Sequence, residues 1–167
     1  VIVLKPSSDT KGNDVIVSRL GLERKVDALV APHEDMRDIV NRFSKHEKIS
    51  CVLVDEAQFL TAPQVNVLLR IAVLYDIPVI CYGLRTDFSC KGFPGSIKLL
   101  LLAHSIEELK TICRCGRKAI FNGRKQNGKF VFCGDQIAIE GEDEVTYESL
   151  CAKCYDEELV KSIVARE

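Results

Sequence analysis

The chain has 167 residues, 47% of them hydrophobic and 28% charged, which suits one globular domain with a sizeable core and a small satellite. Its formal net charge of −1 argues against a general nucleic-acid or membrane-surface binder. No apolar run approaches transmembrane length, the longest (Ile97 to Ala103) being interrupted by Lys98, and no signal-peptide pattern opens the chain. The chain begins at Val1, inside an apolar run, and so reads as a fragment or a trimmed chain.

Val1-Ile-Val-Leu4 reads as a buried strand bounded by Lys5-Pro6, and residues 6–13, rich in Ser, Asp, Gly and Lys, read as a loop. Val26 to Ala31 reads as another short strand. From Glu34 the apolar residues Met36, Ile39, Val40 and Phe43 recur at helical spacing. Glu34 and Asp35 fall in the first turn, and Lys45 and His46 near the last, as the helix dipole favours. Ser50 to Val54 is a buried strand ending in Asp55-Glu56. Thr61 then caps a helix with Pro63 in its first turn, running to about Tyr75. Pro78 to Tyr82 is a further buried strand, closed by Gly83.

This alternation predicts an α/β fold, a parallel sheet with flanking helices on both faces. Ligands bind such sheets at the carboxyl ends of the strands. Asp55-Glu56 and Gly83-Leu-Arg-Thr-Asp-Phe88 both fall at such ends, on one rim.

After Ile112 the texture changes, which predicts an α/β domain over 1–112 and a smaller second domain over 113–167. Lys118 to Gly123 and Lys129 to Cys133 read as strands joined through Asn127-Gly128, a strong hairpin signal. An acidic stretch, Glu140 to Glu144, follows, and a terminal helix is expected from about Asp156.

Of the eight cysteines, Cys113 and Cys115 precede the hairpin and Cys151 and Cys154 follow it. Two thiolate pairs separated by a loop are what a closed tetrahedral zinc site needs, and Gly116 supplies backbone freedom for the turn. The alternative is a disulfide pair or unrelated cysteines. No histidine lies near the pairs, so the zinc would be structural. Cys51, Cys81, Cys90 and Cys133 read as small buried hydrophobes.

Val52-Leu-Val-Asp-Glu56 is an apolar run closed by two acids. A strand-end Asp can hold the magnesium ion of a nucleoside triphosphate, and the following Glu can accept a proton. The alternative is a strand end with two solvated carboxylates. Gln58-Phe59 adds an orienting amide and an aromatic face. The runs Val54-Asp-Glu-Ala-Gln-Phe59, Tyr82-Gly-Leu-Arg-Thr-Asp-Phe88, Gly95-Ser96, Leu109-Lys-Thr-Ile-Cys113 and Tyr147-Glu-Ser-Leu-Cys151, in this order, resemble the zinc-containing (type II) thymidine kinases, bacterial type. Lys5-Pro-x-x-Asp-Thr10 and Ser18-Arg19 extend the resemblance across essentially the whole chain.

The resemblance implies a P-loop NTPase (RecA-like) core plus a small zinc-ribbon-like β domain with a lasso loop. It implies transfer of the γ-phosphate of ATP to the thymidine 5′-hydroxyl, with Glu56 as general base and Asp55 acting through magnesium. Asp9, Thr10 and Lys11 match a segment near the phosphates, with Lys11 standing where the family often has Arg; Gln58 is placed with the ATP and magnesium group. Arg85 would contact phosphate or pair with Asp87. Leu84 and Phe88 would line the thymidine pocket, a core role being the alternative for both. Ile137, Ala138, Ile139, Glu140 and Gly141 align with the lasso core, and Tyr147 with its anchoring tyrosine; the alternative for Tyr147 is a core tyrosine near the zinc. Glu140 replaces a usual glycine there. The family further implies a cytoplasmic enzyme of nucleotide salvage, commonly a homotetramer, inhibited by thymidine triphosphate, with no membrane or nucleic-acid partner. A zinc clamped at the lasso base would lower the entropy lost on closing that loop.

A phosphate-binding loop is expected upstream of Val1, so this chain alone is expected to fold yet not transfer phosphate. Two other readings stand beside the kinase. Asp55-Glu-Ala-Gln58 also resembles a helicase magnesium box, and Arg114, Arg117, Lys118, Arg124, Lys125 and Lys129 would suit a zinc-ribbon nucleic-acid module.

Overall fold

The computed structural model describes residues 1–9, 14–18, 20–136 and 145–164. The chain forms two compact units, one of Val1–Arg85 with Phe93–Ile106, the other of Thr86–Gly92 with Glu107–Glu167. Where the sequence suggests a boundary after Ile112, the second unit takes in Glu107 onward and also the loop carrying Phe88.

In the first unit, β1 (Ile2–Pro6) leads to a hairpin of β2 (Val15–Val17) and β3 (Glu23–Lys25), then to β4 (Ala28–Val30), β5 (Val52–Val54) and β6 (Val79–Cys81). The four strands β4-β1-β5-β6 form a parallel sheet in that order. Its register sets Ile2 beside Val52 and Leu4 beside Val54. β1 runs on through Lys5 and Pro6, both buried, where the sequence suggests a strand end. The helices are α1 (Met36–Ser44), α2 (Ala62–Leu74) and α3 (Pro94–Leu102).

Ile2, Leu4, Val52 and Val54 share one core with Met36, Ile39, Val40, Val65, Leu68 and Ile71, and Leu99 and Leu102 of α3 pack against it. Each such side chain, fully buried, contributes about 1.5–3 kcal/mol. All three helices thus lie against one face. On the opposite face Val3 and Lys5 of the central strand β1 are buried, whereas Leu29 of β4 and Ile80 of β6 are 39% and 45% exposed, so the cover expected on both faces reaches the middle of the sheet and not its outer strands. Continuous apolar runs are what strands buried on two sides show, and β1 is such a strand, whereas β4 and β6 carry the same pattern without that burial.

Thr61 caps α2 as expected, whereas Asp35, expected within the first turn of α1, is its N-cap. Asp35 caps α1, its carboxylate accepting the Arg37 N–H at 2.8 Å. Thr61 and Gln64 form a capping box on α2: the Thr61 Oγ1 accepts from the Gln64 N–H, and the Gln64 Oε1 accepts from the Thr61 N–H. Gln64 also donates to the carbonyl of Ala31 at 2.8 Å, tying the start of α2 to the end of β4. The helix α3 was not legible, because Ile97 to Leu102 is apolar almost throughout and carries no 3.6-residue period.

In the second unit, β7 (Thr111–Ile112) pairs with β8 (Lys118–Ala119), and β9 (Phe121–Gln126), β10 (Lys129–Val131) and β11 (Val145–Leu150) form a sheet of order β10-β9-β11. The expected strand Lys118 to Gly123 is therefore shared between two sheets. Asn127 and Gly128, at φ 51° and 77°, make the predicted tight hairpin turn. α4 (Ala152–Val164) starts earlier than the expected Asp156, so Cys154 lies inside its first turn. The core is small: Cys113, Ala119, Leu150, Cys151, Cys154 and Tyr155, flanked by Phe121, Phe130 and Phe132.

Thr61→Ala removes one half of the capping box and should cost about 1 kcal/mol, read as a lower urea midpoint at unchanged slope.

Candidate active site and metal centre

The end of β5 is gripped from both sides. Asp55 donates its N–H to the Leu4 carbonyl at 2.9 Å, and Ala57 donates to the Tyr82 carbonyl at 2.8 Å. Between them the chain must turn sharply, and Glu56 takes left-handed φ and ψ of 48° and 37° before a 3-10 turn over Ala57–Phe59. Such a conformation costs a residue with a Cβ about 1–2 kcal/mol. It persists only where surroundings over-determine it, and it clusters at functional sites.

Those surroundings are specific. Gln58 is 1% exposed. Its Nε2 donates to Glu56 Oε2 at 2.6 Å, and its Oε1 accepts the Leu84 N–H at 3.1 Å. Ser96 Oγ in turn donates to the Leu84 carbonyl. A Cβ on Gly83 would sit 2.6 Å from Gln58 Oε1, and one on Gly95 would sit 2.6 to 2.7 Å from the carbonyls of Ala57, Gln58 and Leu60. Only glycine lets β6 and α3 approach the turn this closely.

Burial pushes the Glu56 carboxyl above its ordinary value; the Gln58 hydrogen bond opposes this, the negative charges of Asp9 and Asp55 add to it, and Lys5 opposes it again. Lys5, a buried residue given no role from sequence, pairs with Asp9 at 2.8 Å. The β1–β5 register places Lys5 beside Asp55, one residue beyond Leu4 and Val54. Glu56, Asp55, Gln58, Asp9 and Lys5 thus assemble at one rim. Leu84 is 45% exposed. Arg85 is exposed and makes no ion pair among the described residues. Thr10, Lys11, Ile137, Ala138, Ile139, Glu140 and Gly141 lie outside the described residues.

In the second unit the loop Thr86–Gly92 is closed by an antiparallel bridge between its ends. Asp87 Oδ1 accepts from the Ser89 and Lys91 N–H groups and the Ser89 hydroxyl, and Asp87 Oδ2 accepts from Gln136 Nε2 at 3.0 Å. The Asp87 carboxylate is thus engaged within its own unit. Phe88 is 1% exposed, and its carbonyl accepts the Tyr155 hydroxyl at 2.6 Å. The guanidinium of Arg124 lies 3.7 Å from the Phe88 ring centroid. Tyr147 is 56% exposed, so the buried tyrosine beside the cysteines is Tyr155, not Tyr147.

The Sγ atoms of Cys113, Cys115, Cys151 and Cys154 all lie within 4.8 Å of one another. A tetrahedral zinc with bonds of about 2.3 Å needs sulfur edges of about 3.8 Å, so the four fit that ion. The Cys115–Cys151 sulfurs are 3.5 Å apart, far from a disulfide bond, and all the cysteines are free. Their acidities show why a cation suits them. Backbone N–H groups of Cys115 and Cys151 bring the Cys113 thiol down to about 6. Its hydrogen bond to Cys115, with burial, pushes Cys154 up to about 12. Four crowded thiols cannot all ionise without a positive charge among them, and a divalent ion supplies it.

Of the other cysteines, Cys51 and Cys81 are half-buried, whereas Cys90 and Cys133 are exposed, against the expectation of four small buried hydrophobes. The basic residues of the nucleic-acid alternative are mostly committed. Arg114 pairs with Glu148 and Glu158, Lys125 with Glu148, Lys118 with Glu108, and Arg124 is buried.

Removing metal with a strong chelator should expose β9 and β11 amides to hydrogen exchange while β1 and β5 stay protected. Unchanged protection in the second unit would remove the case for a structural ion.

A model of the thymidine kinase family matches residues 1–155. The chain is similar to the thymidine kinase of Enterobacteria phage T4, with 43% identity over 159 residues, 94% of this chain and 80% of that protein. It is also similar to the thymidine kinase of Shewanella oneidensis, 42% identical over 158 residues, 93% of this chain and 81% of the relative. The Haemophilus influenzae thymidine kinase is 46% identical over 151 residues, covering 89% and 76%.

Proposed function

The chain belongs to the thymidine kinase family, and we propose on that premise that Glu56 is the general base that takes the proton of the thymidine 5′-hydroxyl as it attacks the γ-phosphate of ATP. The observation that carries this is the state of Glu56: half-buried, left-handed in its backbone, held by Gln58, and raised in pKa by burial. A base is most effective when its pKa lies near the working pH, and a lifted carboxyl moves in that direction.

Phosphoryl transfer depends mostly on alignment and charge stabilisation. Gln58 supplies alignment at the base, since its amide spans Glu56 and the Leu84 main chain. Asp55, beside Glu56 at the strand end, would hold the magnesium that ATP carries. Asp9 would act near the phosphates, and Thr10, Lys11 and Arg85 complete that group by the family match. Leu84, Phe88, Tyr147 and the run Ile137 to Gly141 would recognise thymidine. The four cysteines would hold a structural zinc that keeps the second unit folded. Inhibition by thymidine triphosphate, a tetramer and a cytoplasmic setting belong to the same reading and rest on the family alone.

Transfer of labelled γ-phosphate from ATP to thymidine, by protein that carries the phosphate-binding loop expected upstream of Val1, tests this. Glu56→Gln should lower kcat by about 10²- to 10⁴-fold with zinc content unchanged. Retention of rate within a few-fold would rule Glu56 out as the base.

The pH profile gives an independent check. The acid limb of kcat/KM should lie above the ordinary carboxylate range of about 4 to 4.5. Gln58→Met removes the hydrogen bond that favours the charged form, so the limb should move to still higher pH. Stability follows the same sign. Between the ordinary value and the raised folded value, the native state binds more protons than the unfolded chain, so stability falls as pH rises through that window. Glu56→Gln should remove that fall.

A further inference from the structure

Arg124 has no part in the chemistry above, yet its placement is unusual. It sits in the middle of β9, opposite Val131 of β10 and Tyr147 of β11. It is 6% exposed, and no carboxylate pairs with it among the described residues. A buried charge is costly unless it is paired or fully hydrogen-bonded, and an apolar side chain of similar volume would serve packing alone as well or better.

The guanidinium is satisfied by three neutral acceptors from two separate segments. Nε donates to the Tyr147 hydroxyl at 3.1 Å, Nη1 to the Asp135 carbonyl at 2.9 Å and Nη2 to the Gln136 carbonyl at 3.1 Å. Its face lies against the Phe88 ring at 3.7 Å. Gln136 closes the circle, since its amide donates to Asp87, the residue before Phe88. One planar fork therefore sets the Phe88 ring, the Tyr147 hydroxyl and two consecutive carbonyls against each other.

We propose that Arg124 is a positioning residue for nucleoside recognition, holding Phe88 and Tyr147 in the mutual geometry that binding of thymidine requires. The proposal rests on the reading of Phe88 and Tyr147 as thymidine-recognising residues. Arginine is needed because its donors diverge in one plane while its face stacks on an aromatic ring; a lysine keeps the charge but loses the fork and the stacking.

The test measures thymidine KM, ATP KM and kcat, with zinc content and thermal midpoint, in the wild type, Arg124→Lys, Tyr147→Phe and the double variant. Arg124→Lys should raise thymidine KM by about tenfold or more, leaving ATP KM and zinc content unchanged. Tyr147→Phe removes one acceptor and should raise thymidine KM by a smaller factor. The double variant should fall short of the product of the two factors, because both act through one contact. Thymidine KM within twofold of wild type in Arg124→Lys overturns the proposal, as do a parallel rise in ATP KM and full multiplicativity. If Arg124→Lys does not fold, Tyr147→Phe decides: an unchanged thymidine KM there overturns it. All four proteins carry the phosphate-binding loop expected upstream of Val1; a wild type that has that loop and phosphorylates no thymidine defeats the proposed function itself, which is a separate outcome.

Discussion

The amide of Gln58 is buried beyond the reach of water, so each of its ends must find a partner in the protein. An unsatisfied buried amide would cost about 1–3 kcal/mol. One end finds the Glu56 carboxylate and the other the Leu84 N–H, while Ser96 holds the Leu84 carbonyl. That chain of bonds explains several features together. It stabilises the left-handed turn at Glu56. It requires glycine at Gly83, where any Cβ would strike the Gln58 oxygen. It also brings α3 down on the carbonyls of the turn at Gly95, where a Cβ would again collide. Burial and orientation of the Glu56 carboxylate thus have one source, and its raised pKa is a consequence of how the turn is packed.

The second unit works differently. Its apolar core is too small to hold many short strands by burial alone, and below a certain core size domains need metals or disulfides. Here the sulfurs of four cysteines occupy the place of aliphatic side chains, and three of those cysteines are buried. The same turn of α4 reaches further. Tyr155 bonds through its N–H to the Cys151 carbonyl and through its hydroxyl to the Phe88 carbonyl. The residue that follows Cys154 is thereby the link between the cysteine-bearing turn and the loop carrying Phe88.

Much of the first unit was legible because its signals are local. The Thr61 cap, the period of α1 and the apolar strands each depend on residues adjacent in sequence, and the family motifs marked Glu56 and the four cysteines. The hairpin turn at Asn127-Gly128 was equally local. What escaped has a common cause. Arg124 looked like one member of a basic group, because nothing within a few residues of it announces Phe88, Asp135, Gln136 and Tyr147 as partners. Lys5 looked like the end of a strand rather than a buried cation. The assignment of Thr86–Gly92 to the second unit depends on Asn122, Arg124, Gln136 and Tyr155, all distant in sequence. Exposure of the outer strands on one sheet face was invisible because Leu29 and Ile80 are as apolar as residues that are buried.

The two buried cations show opposite solutions to one cost, and the contrast bears on how substrate charge is met. Arg124 is satisfied by neutral oxygens and an aromatic face, so its own segment keeps its positive charge. Lys5 is paired with Asp9, which leaves the rim with more acid than base: the charges of Asp9 and Asp55 both act on Glu56 against a single buried amine. Such a rim repels a bare triphosphate. It becomes favourable once a divalent cation neutralises part of the charge on both sides, and a strand-end carboxylate such as Asp55 is a ligand type such a cation prefers. The excess of acid also favours protonation of Glu56, through the same repulsion that burial reinforces.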